Sequence, residues 1–379
     1  MRALFLAPMK PPDHPVPSGD RTIARLFVKL LGRLGYSVEI ASTLRSFDPA
    51  PDAAADAALL AAGQCECARI LAAERGRPPP ALVFCYHLYH KAPDVIGPAL
   101  AAELGVPYIV AEASRAPKRA EGPFARRYAL AEAAIGAARL HLCPTARDRA
   151  MLAAALRPGQ ALVDLKPFLD LAPWPLATAL PARPAGAALR LLSVAMMREG
   201  YKQRSYALLA AALARLGDLD FTLDIVGDGP ARAAVAAAFA PLGPRVRLHG
   251  RIEDPVALGH LYAGADLFLW PAIDEPFGMV FLEAQAHGLP CLAGDGGGVA
   301  DVIRAGETGL LVPQGDAAAF AAAIRALAAD RARLAALGSA AWRFVRGERS
   351  LPAAAARVAA AFRDIGLEPP VAEPAEEAR

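Results

Sequence analysis

Short apolar runs alternate with helix-like segments along this chain of 379 residues, in two blocks separated by a proline-rich stretch. This alternation is typical of parallel strands that are covered by helices. Six candidate strands precede the proline-rich stretch, and six follow it. They lie at residues 3–7, 37–41, 81–85, 108–111, 140–143 and 162–166, and at residues 189–195, 221–226, 246–248, 267–269, 290–293 and 310–312.

The proline-rich stretch divides the chain into two predicted domains. Its prolines, which include Pro175 and Pro181, prevent a continuous helix or central strand. The chain also exceeds the length at which one core usually keeps growing. We therefore predict an α/β protein with two doubly wound, Rossmann-like domains. The predicted parts are an N-terminal domain (1–172), a linker (173–188), a C-terminal domain (189–348), a last helix (349–365) and a disordered tail (366–379).

Composition argues against several classes of function. Hydrophobic residues make up 55% of the chain. However, the chain contains no uninterrupted apolar run of about 18 residues, the length that a membrane-spanning helix needs. A formal net charge of +3 gives little support for nucleic-acid binding. The five cysteines lack the spacing of a metal site, so reduced thiols are expected. The first residues do not form a signal-peptide pattern, and a cytoplasmic location is predicted.

One segment of the first half is strongly basic. It has two interpretations, a solvated loop with a helix start or a docking patch for an anionic lipid or a phosphorylated acceptor. The second interpretation includes peripheral contact with the inner face of a membrane. The residues concerned are Arg115, Lys118, Arg119, Arg126 and Arg127.

Two carboxylates, Glu275 and Glu283, flank a predicted loop-to-helix junction. The helix is predicted over 278–287, so Glu275 lies in the loop and Glu283 about a turn and a half into the helix. A helix start offers unpaired N–H groups that suit a phosphate, and carboxylates accept hydrogen bonds from sugar hydroxyls. This arrangement suggests a nucleotide-sugar site, although an isolated pair of glutamates is more often solvated.

The segment 274–284, with Gly288-Leu289-Pro290 and Gly296-Gly297-Gly298 after it, resembles the glutamate-x7-glutamate signature of the family 4 glycosyltransferases. The resemblance covers the second domain and, more loosely, the first. It implies the GT-B fold, in which two doubly wound domains face each other across a cleft. It also implies that the last helix returns to pack on the N-terminal domain.

The resemblance assigns donor-binding roles around the two glutamates. It places Glu283 on the nucleotide ribose and Glu275 on the donor sugar. The backbone amides of Phe277, Gly278 and Met279 would hold the diphosphate or the sugar.

Further roles follow from the same resemblance. Lys202 matches the family's phosphate-binding lysine. The family's Gly-Arg pair is absent, so Arg198 is taken as the partner of Lys202. The alternative is that both residues are merely exposed cations of a loop. Gly227 and Gly229 would border the nucleotide or simply form a tight strand-to-helix turn. The loop at Ile252 would contact the base of the nucleotide.

Three positions of the first domain complete the predicted site. Gly19 stands where the family has a Gly-Gly turn near the donor phosphate, and the adjacent Asp20 is interpreted equally well as a helix cap. Glu112 occupies the place of a family histidine and would orient the acceptor or act as a base. His87 ends a strand at the same edge, although a lone histidine is more often structural.

The resemblance therefore implies a hexosyltransferase-type enzyme. It would move a sugar from a nucleotide-sugar donor to a saccharide, lipid-linked or small-molecule acceptor, with retention of configuration and without a metal or other cofactor. Synthesis of cell-envelope material or of another glycoconjugate or polysaccharide is the expected context. The alternatives are a GT-B-fold nucleotide-sugar epimerase and a non-catalytic GT-B-like binding protein, the latter because the Gly-Arg pair and the histidine are missing.

Overall fold

The computed structural model describes residues 1–174 and 188–370. Residues 175–187 of the predicted linker and 371–379 of the predicted tail lie outside the described residues. The described chain divides into two compact units. The first consists of Met1–Lys166 with the residues from Leu351 onward, and the second is Pro167–Ser350.

The first unit is built on a six-stranded sheet in which all neighbouring strands are parallel. The strand order is β2-β1-β3-β4-β5-β6. The strands are β1 (Arg2–Leu6), β2 (Ser37–Ile40), β3 (Leu82–Leu88), β4 (Tyr108–Ala113), β5 (Leu140–Cys143) and β6 (Ala161–Asp164), and the helices are α1 (Gly19–Arg33), α2 (Ala53–Glu74), α3 (Gly97–Leu104), α4 (Ala125–Ala137) and α5 (Ala146–Ala153).

The central strands of this sheet are buried along most of their length. In β3 every residue except His87 is buried, and in β4 every residue except Glu112. Nearly continuous apolar strands are expected where helices cover both faces of a parallel sheet. The two exceptions are polar residues near the carboxyl ends of adjacent strands.

The second unit repeats this architecture. Its sheet is also parallel throughout, in the order β12-β11-β10-β7-β8-β9. The strands are β7 (Leu189–Val194), β8 (Phe221–Val226), β9 (Val246–Gly250), β10 (Leu267–Trp270), β11 (Cys291–Asp295) and β12 (Gly309–Pro313), and the helices are α6 (Tyr201–Ala214), α7 (Arg232–Phe239), α8 (Pro255–Gly264), α9 (Met279–Ala286), α10 (Ala317–Ala329) and α11 (Arg331–Glu348).

The last helix, α12 (Leu351–Asp364), belongs to the first unit and packs on α1. The ring of Phe362 contacts Tyr36 edge-on at 6.2 Å, and Arg357 donates a hydrogen bond to the Asp164 carbonyl at 2.9 Å. The predicted fold class, α/β with two doubly wound Rossmann-like domains, is confirmed. None of the helices within the described residues combines the length and the apolar character needed to cross a membrane.

Each sheet contains one point at which the strand order changes direction. In the first unit this point lies between β1 and β3, and in the second between β7 and β10. Doubly wound sheets bind their ligands beyond the carboxyl ends of the strands at such points. The loops that follow these four strands are therefore where a site is expected.

Candidate active site

In the second unit, Lys202 of α6 and Glu275 of the loop after β10 form an ion pair at the switch point. The side chains are only 11% and 9% exposed. Glu275 also accepts a hydrogen bond from Trp270 Nε1 at 3.1 Å, and Lys202 Nζ lies 5.2 Å from the centre of the Trp270 ring. Glu275 is thus a buried and fixed carboxylate, not a solvated surface residue.

The loop that carries Glu275 has an unusual backbone. Ala272 and Asp274 have φ angles of 55° and 50°, a region that is costly for residues other than glycine. The neighbouring loop packs closely against it, because a Cβ at Gly297 would lie 2.0 Å from the Glu275 carbonyl oxygen. Gly298 N donates to this loop as well. Strain of this kind persists where the surroundings fix the conformation, and it is frequent at functional sites.

Glu283 lies on α9 and accepts a hydrogen bond from Tyr262 Oη of α8 at 2.8 Å. Burial raises the pKa of Glu283, and the Tyr262 hydroxyl opposes this increase. Gly278 begins the helix in a left-handed conformation, and no side chain caps the helix start. The first amides of α9 are therefore open to a ligand on the stretch between the two glutamates.

The side chains around the helix start differ in burial. That of Phe277 is buried, and that of Met279 is half-buried. A Cβ at Gly278 would lie 3.3 Å from Glu275 Cγ, so glycine leaves room for the glutamate side chain beside the helix start.

Close packing of the backbone explains the two glycines in the loop after β8. Gly227 and Gly229 have φ angles of 151° and 150°, and added Cβ atoms would lie 1.9 Å from the Ala195 carbonyl oxygen and 2.4 Å from that of Met197. Met197 N donates to the Asp228 carbonyl at 2.9 Å. The close packing between the backbones of these two loops is therefore enough to require glycine at both positions, whether or not they also contact a ligand.

Two further predicted residues lie in loops of the second unit. Arg198 is exposed, and its side chain makes no hydrogen bond or ion pair with another described residue. Ile252 is half-buried in the loop after β9, between Arg251 and Glu253, which form an exposed ion pair.

In the first unit, three titratable side chains meet at the switch point. His87 Nδ1 lies 3.0 Å from Asp20 Oδ1 and 3.7 Å from Glu112 Oε1. His87 and Glu112 have φ angles of 61° and 58°. These two and the two residues of the Glu275 loop are the non-glycine residues with positive φ among those described. Within the described residues, positive φ angles at non-glycine positions therefore occur in the His87–Glu112 cluster and in the Glu275 loop.

The protonation of this cluster is set by burial and by mutual contact. Burial lowers the pKa of His87, but the charges of Glu112 and Asp20 outweigh it and raise this pKa to about 8. Burial raises the pKa of Glu112 to about 7, against the opposing charge of His87. Burial also acts to raise the pKa of Asp20, but contact with His87 keeps it below its ordinary value. Asp148 of α5 adds negative charge nearby. In the part of the chain that the structure describes, no group of such side chains is arranged to hold a metal ion.

The structure corrects the interpretation of Asp20 as a helix cap. Ser18 caps α1, since its Oγ accepts a hydrogen bond from Arg21 N at 3.2 Å, and Asp20 instead contacts His87. At Gly19, an added Cβ would meet nothing within 4 Å. Sequence reasoning also missed Trp270 and Tyr262, because a strand end and a helix residue give no sign of a carboxylate that is distant in the chain.

The predicted basic patch is also corrected. Arg127 is 2% exposed and bonds to Asp56 and to the Ser46 carbonyl, while Arg115 forms an ion pair with Glu132. These two arginines hold the fold together and do not form a free surface. Of the remaining residues, Lys118 and Arg126 are exposed and Arg119 is half-buried.

Known proteins resemble the chain in both fold and sequence. A sucrose-phosphate synthase of Thermosynechococcus elongatus superposes with a TM-score of 0.70 and 20% identity over 97% of this chain and 99% of its own. Anabaena HepE, solved in complex with UDP, gives a TM-score of 0.71 and 16% identity over 96% of this chain and all of that chain. The chain has the GT-B glycosyltransferase fold.

Sequence similarity to glycosyltransferases includes much of the second unit. Residues 188–330 match the family model described as Glycosyl transferases group 1. A D-inositol 3-phosphate glycosyltransferase of Nocardia farcinica is 45% identical over 86 residues, which is 23% of this chain and 19% of the relative. The matched segments span between 11% and 20% of the first three curated relatives. The similarity in sequence to glycosyltransferases thus includes part of the chain, and the similarity in fold covers nearly all of it.

Proposed function

We propose that this protein is a glycosyltransferase that transfers a sugar from a nucleotide-sugar donor to an acceptor hydroxyl. The observation that carries the proposal is the buried Lys202–Glu275 pair beside the uncapped start of α9. It lies at a switch point, within the region that matches the glycosyltransferase family model. The UDP and UDP-glucose complexes of HepE, a protein of the same fold, support a nucleotide-sugar as the donor.

The donor would be held between the two glutamates. Glu283 binds the ribose hydroxyls, Glu275 binds hydroxyls of the sugar, and the amides of 277–279 bind the diphosphate. Lys202 stabilises the diphosphate, because its ion pair with Glu275 already holds the ammonium group at the helix start. Arg198 is exposed and available to approach the same phosphates. In this proposal Gly19 approaches the donor phosphate, and the loop at Ile252 contacts the base.

The reaction replaces one bond of the anomeric carbon by another. The bond to the diphosphate oxygen breaks, and its electron pair leaves with the nucleoside diphosphate. Lys202 and the α9 amides neutralise the negative charge that develops there. The acceptor oxygen bonds to the same face of the anomeric carbon, and its proton passes to the departing phosphate. Configuration is retained, and neither a metal nor a strong protein base is needed in this proposal.

The first unit would position the acceptor. Asp20 holds the Nδ1 side of His87 at 3.0 Å. Within the described residues, His87 Nε2 has no hydrogen-bond partner and is not sealed from solvent. The charged imidazole therefore donates from Nε2 to a substrate oxygen, and Glu112 accepts a hydrogen bond from a neighbouring hydroxyl. Asp20 acts through His87 and is a positioning residue.

The proposal is tested by calorimetric titration of the purified chain with UDP, GDP, ADP and their glucose and mannose derivatives, followed by product analysis with acceptors. We expect one nucleotide to bind in preference to the others and its sugar to be transferred with retention, also in EDTA. Conversion of the donor to an isomer without acceptor would identify an epimerase instead. Binding without turnover across a broad acceptor panel would identify a binding protein, and a failure of every nucleotide to bind would overturn the proposal.

A further inference from the structure

A second group of polar residues lies beside the His87 cluster, around the ring of Phe124. His90 and Lys91 follow β3, whereas Arg119 and Phe124 follow β4, so neighbouring strand ends bring them together. The His90 ring meets Phe124 edge-on at 5.1 Å. Arg119 Cζ lies 5.3 Å, and Lys91 Nζ 5.9 Å, from the centre of the same ring.

The polar atoms of this group are not satisfied by the protein. Both ring nitrogens of His90 and Nε of Arg119 are shielded from solvent and have no hydrogen-bond partner. Buried polar groups are nearly always paired, so several orphaned atoms at one place need an explanation. In the part of the chain that the structure describes, Lys91, Lys118 and Arg119 form no ion pair with a carboxylate. The neighbouring Arg115 and Arg127 are both paired.

The positive charges act together on His90. Burial lowers the pKa of His90, and Arg119, Lys91 and Lys118 lower it further, in that order. The local potential is therefore positive, and an anion bound here would relieve the repulsion between the cations.

We propose that His90, Lys91, Lys118 and Arg119 form a binding site for a phosphoryl group carried by the acceptor. The inference rests on the proposed sugar transfer and specifies its acceptor as a phosphorylated molecule. Guanidinium and ammonium groups suit phosphate oxygens, and the orphaned nitrogens supply donors that an anion would use.

The position of this site fits a small acceptor. The rings of Tyr89 and His90 lie between His87 and Phe124. In the order His87, Tyr89, His90 and Phe124, the centres of neighbouring rings are 5.1, 5.3 and 5.1 Å apart. A sugar or polyol ring over Tyr89 would place a hydroxyl near His87 and a phosphoryl group near His90. A flat lipid surface instead calls for exposed cations, whereas Lys91 and Arg119 are half-buried.

The test is a titration of the full chain, carrying ¹³C-labelled histidine, with inorganic phosphate and with glucose 6-phosphate, followed by NMR. The variant His90→Gln assigns the His90 signal. We expect a saturable shift and a higher His90 pKa, because an anion favours the imidazolium form. Arg119→Gln is expected to weaken phosphate binding about tenfold, the loss typical of one charged hydrogen bond. If this variant unfolds, Lys118→Gln, at an exposed side chain, replaces it.

The matched control is Arg126→Gln, at an exposed arginine of the same segment that is not part of the group. Its phosphate affinity is expected to stay within about twofold of the unmodified chain, since exposed charges interact weakly with sites they do not touch. An equal loss in both arginine variants, or no saturable shift of His90, would overturn the proposal. Arginine-dependent binding to phosphatidylglycerol vesicles but not to phosphatidylcholine vesicles, without a response to phosphate, would assign the group to a membrane and would also overturn it. Calorimetry with nucleotides reports the donor site separately, so failure of the proposed transfer is distinguishable.

Discussion

The two units place a charged pair at equivalent positions but with opposite chemistry. In the first, Asp20 is the second residue of α1 and contacts His87 near the end of β3; in the second, Lys202 is the second residue of α6 and contacts Glu275 in the loop after β10. Both pairs lie at the switch point of their sheet. The same topology thus presents a helix-borne carboxylate in one unit and a helix-borne ammonium group in the other.

The first cluster contains groups whose pKa values are shifted toward neutrality. His87 and Glu112 have pKa values of about 8 and about 7, so the first cluster changes charge near neutrality. Lys202 and Glu275 form a buried ion pair that an indole N–H supports. A fixed pair suits the stabilisation of a leaving phosphate, whereas a titrating cluster suits acceptor hydroxyls.

The largest effect is expected at Glu275. Glu275→Gln keeps an acceptor for Trp270 Nε1 but removes the charge opposite Lys202, so transfer should fall roughly a thousandfold, at the upper end for loss of one preorganised group. The rate is measured at saturating donor. Arg204→Gln is the control, since Arg204 and Asp274 form an ion pair in the same region with side chains 60% and 63% exposed. A Glu275→Gln rate near that of the control would break the assignment.

A smaller effect is expected at Glu283. Glu283→Gln should weaken nucleotide binding roughly tenfold, because a charged acceptor of ribose hydroxyls is lost. Tyr262→Phe should cost less, since it removes only the supporting hydroxyl. Burial raises the pKa of Glu283, so affinity should begin to fall with decreasing pH before an ordinary glutamate would protonate. Calorimetry across pH 5 to 8 measures both effects, and pH-independent binding would contradict them.

The variant Asp20→Asn tests the first unit. The pKa of His87 is raised to about 8, so the imidazolium is present below that pH and lost above it. Without the Asp20 charge this pKa falls, and the alkaline limb of the pH–rate profile should move down by roughly one unit. Asp13→Asn, at an exposed acid in the loop that precedes α1, should leave the profile unchanged. A rate loss in Asp20→Asn without a shift of the limb would indicate a purely structural role.

The smallest effect is expected at Gly19. An added Cβ meets nothing within 4 Å at Gly19 or at Gly32, at opposite ends of α1. Both Gly→Ala variants should fold with unchanged or slightly higher stability. Only Gly19→Ala should weaken transfer, by a few-fold, since close approach to a phosphate requires glycine. Equal activity of the two variants would remove Gly19 from the donor site.

The fold was largely readable from the sequence, because buried parallel strands are continuous apolar runs. Predicted and observed strands differ by a few residues at most, as for 267–269 against β10. The bounds of helix α2 were not predicted, since its alanine-rich sequence shows no clear apolar face. Arg127 was misjudged because its partner Asp56 lies 71 residues away.

By itself the sequence determined two doubly wound domains and a glutamate pair around a helix start, because strand pattern and motif spacing are local properties of the chain. Only the tertiary structure decided which side chains meet. It brought Lys202 to Glu275, Tyr262 to Glu283 and Asp20 to His87, across 73, 21 and 67 residues. Burial and charge at such long-range contacts set the pKa values, and no local pattern encodes them.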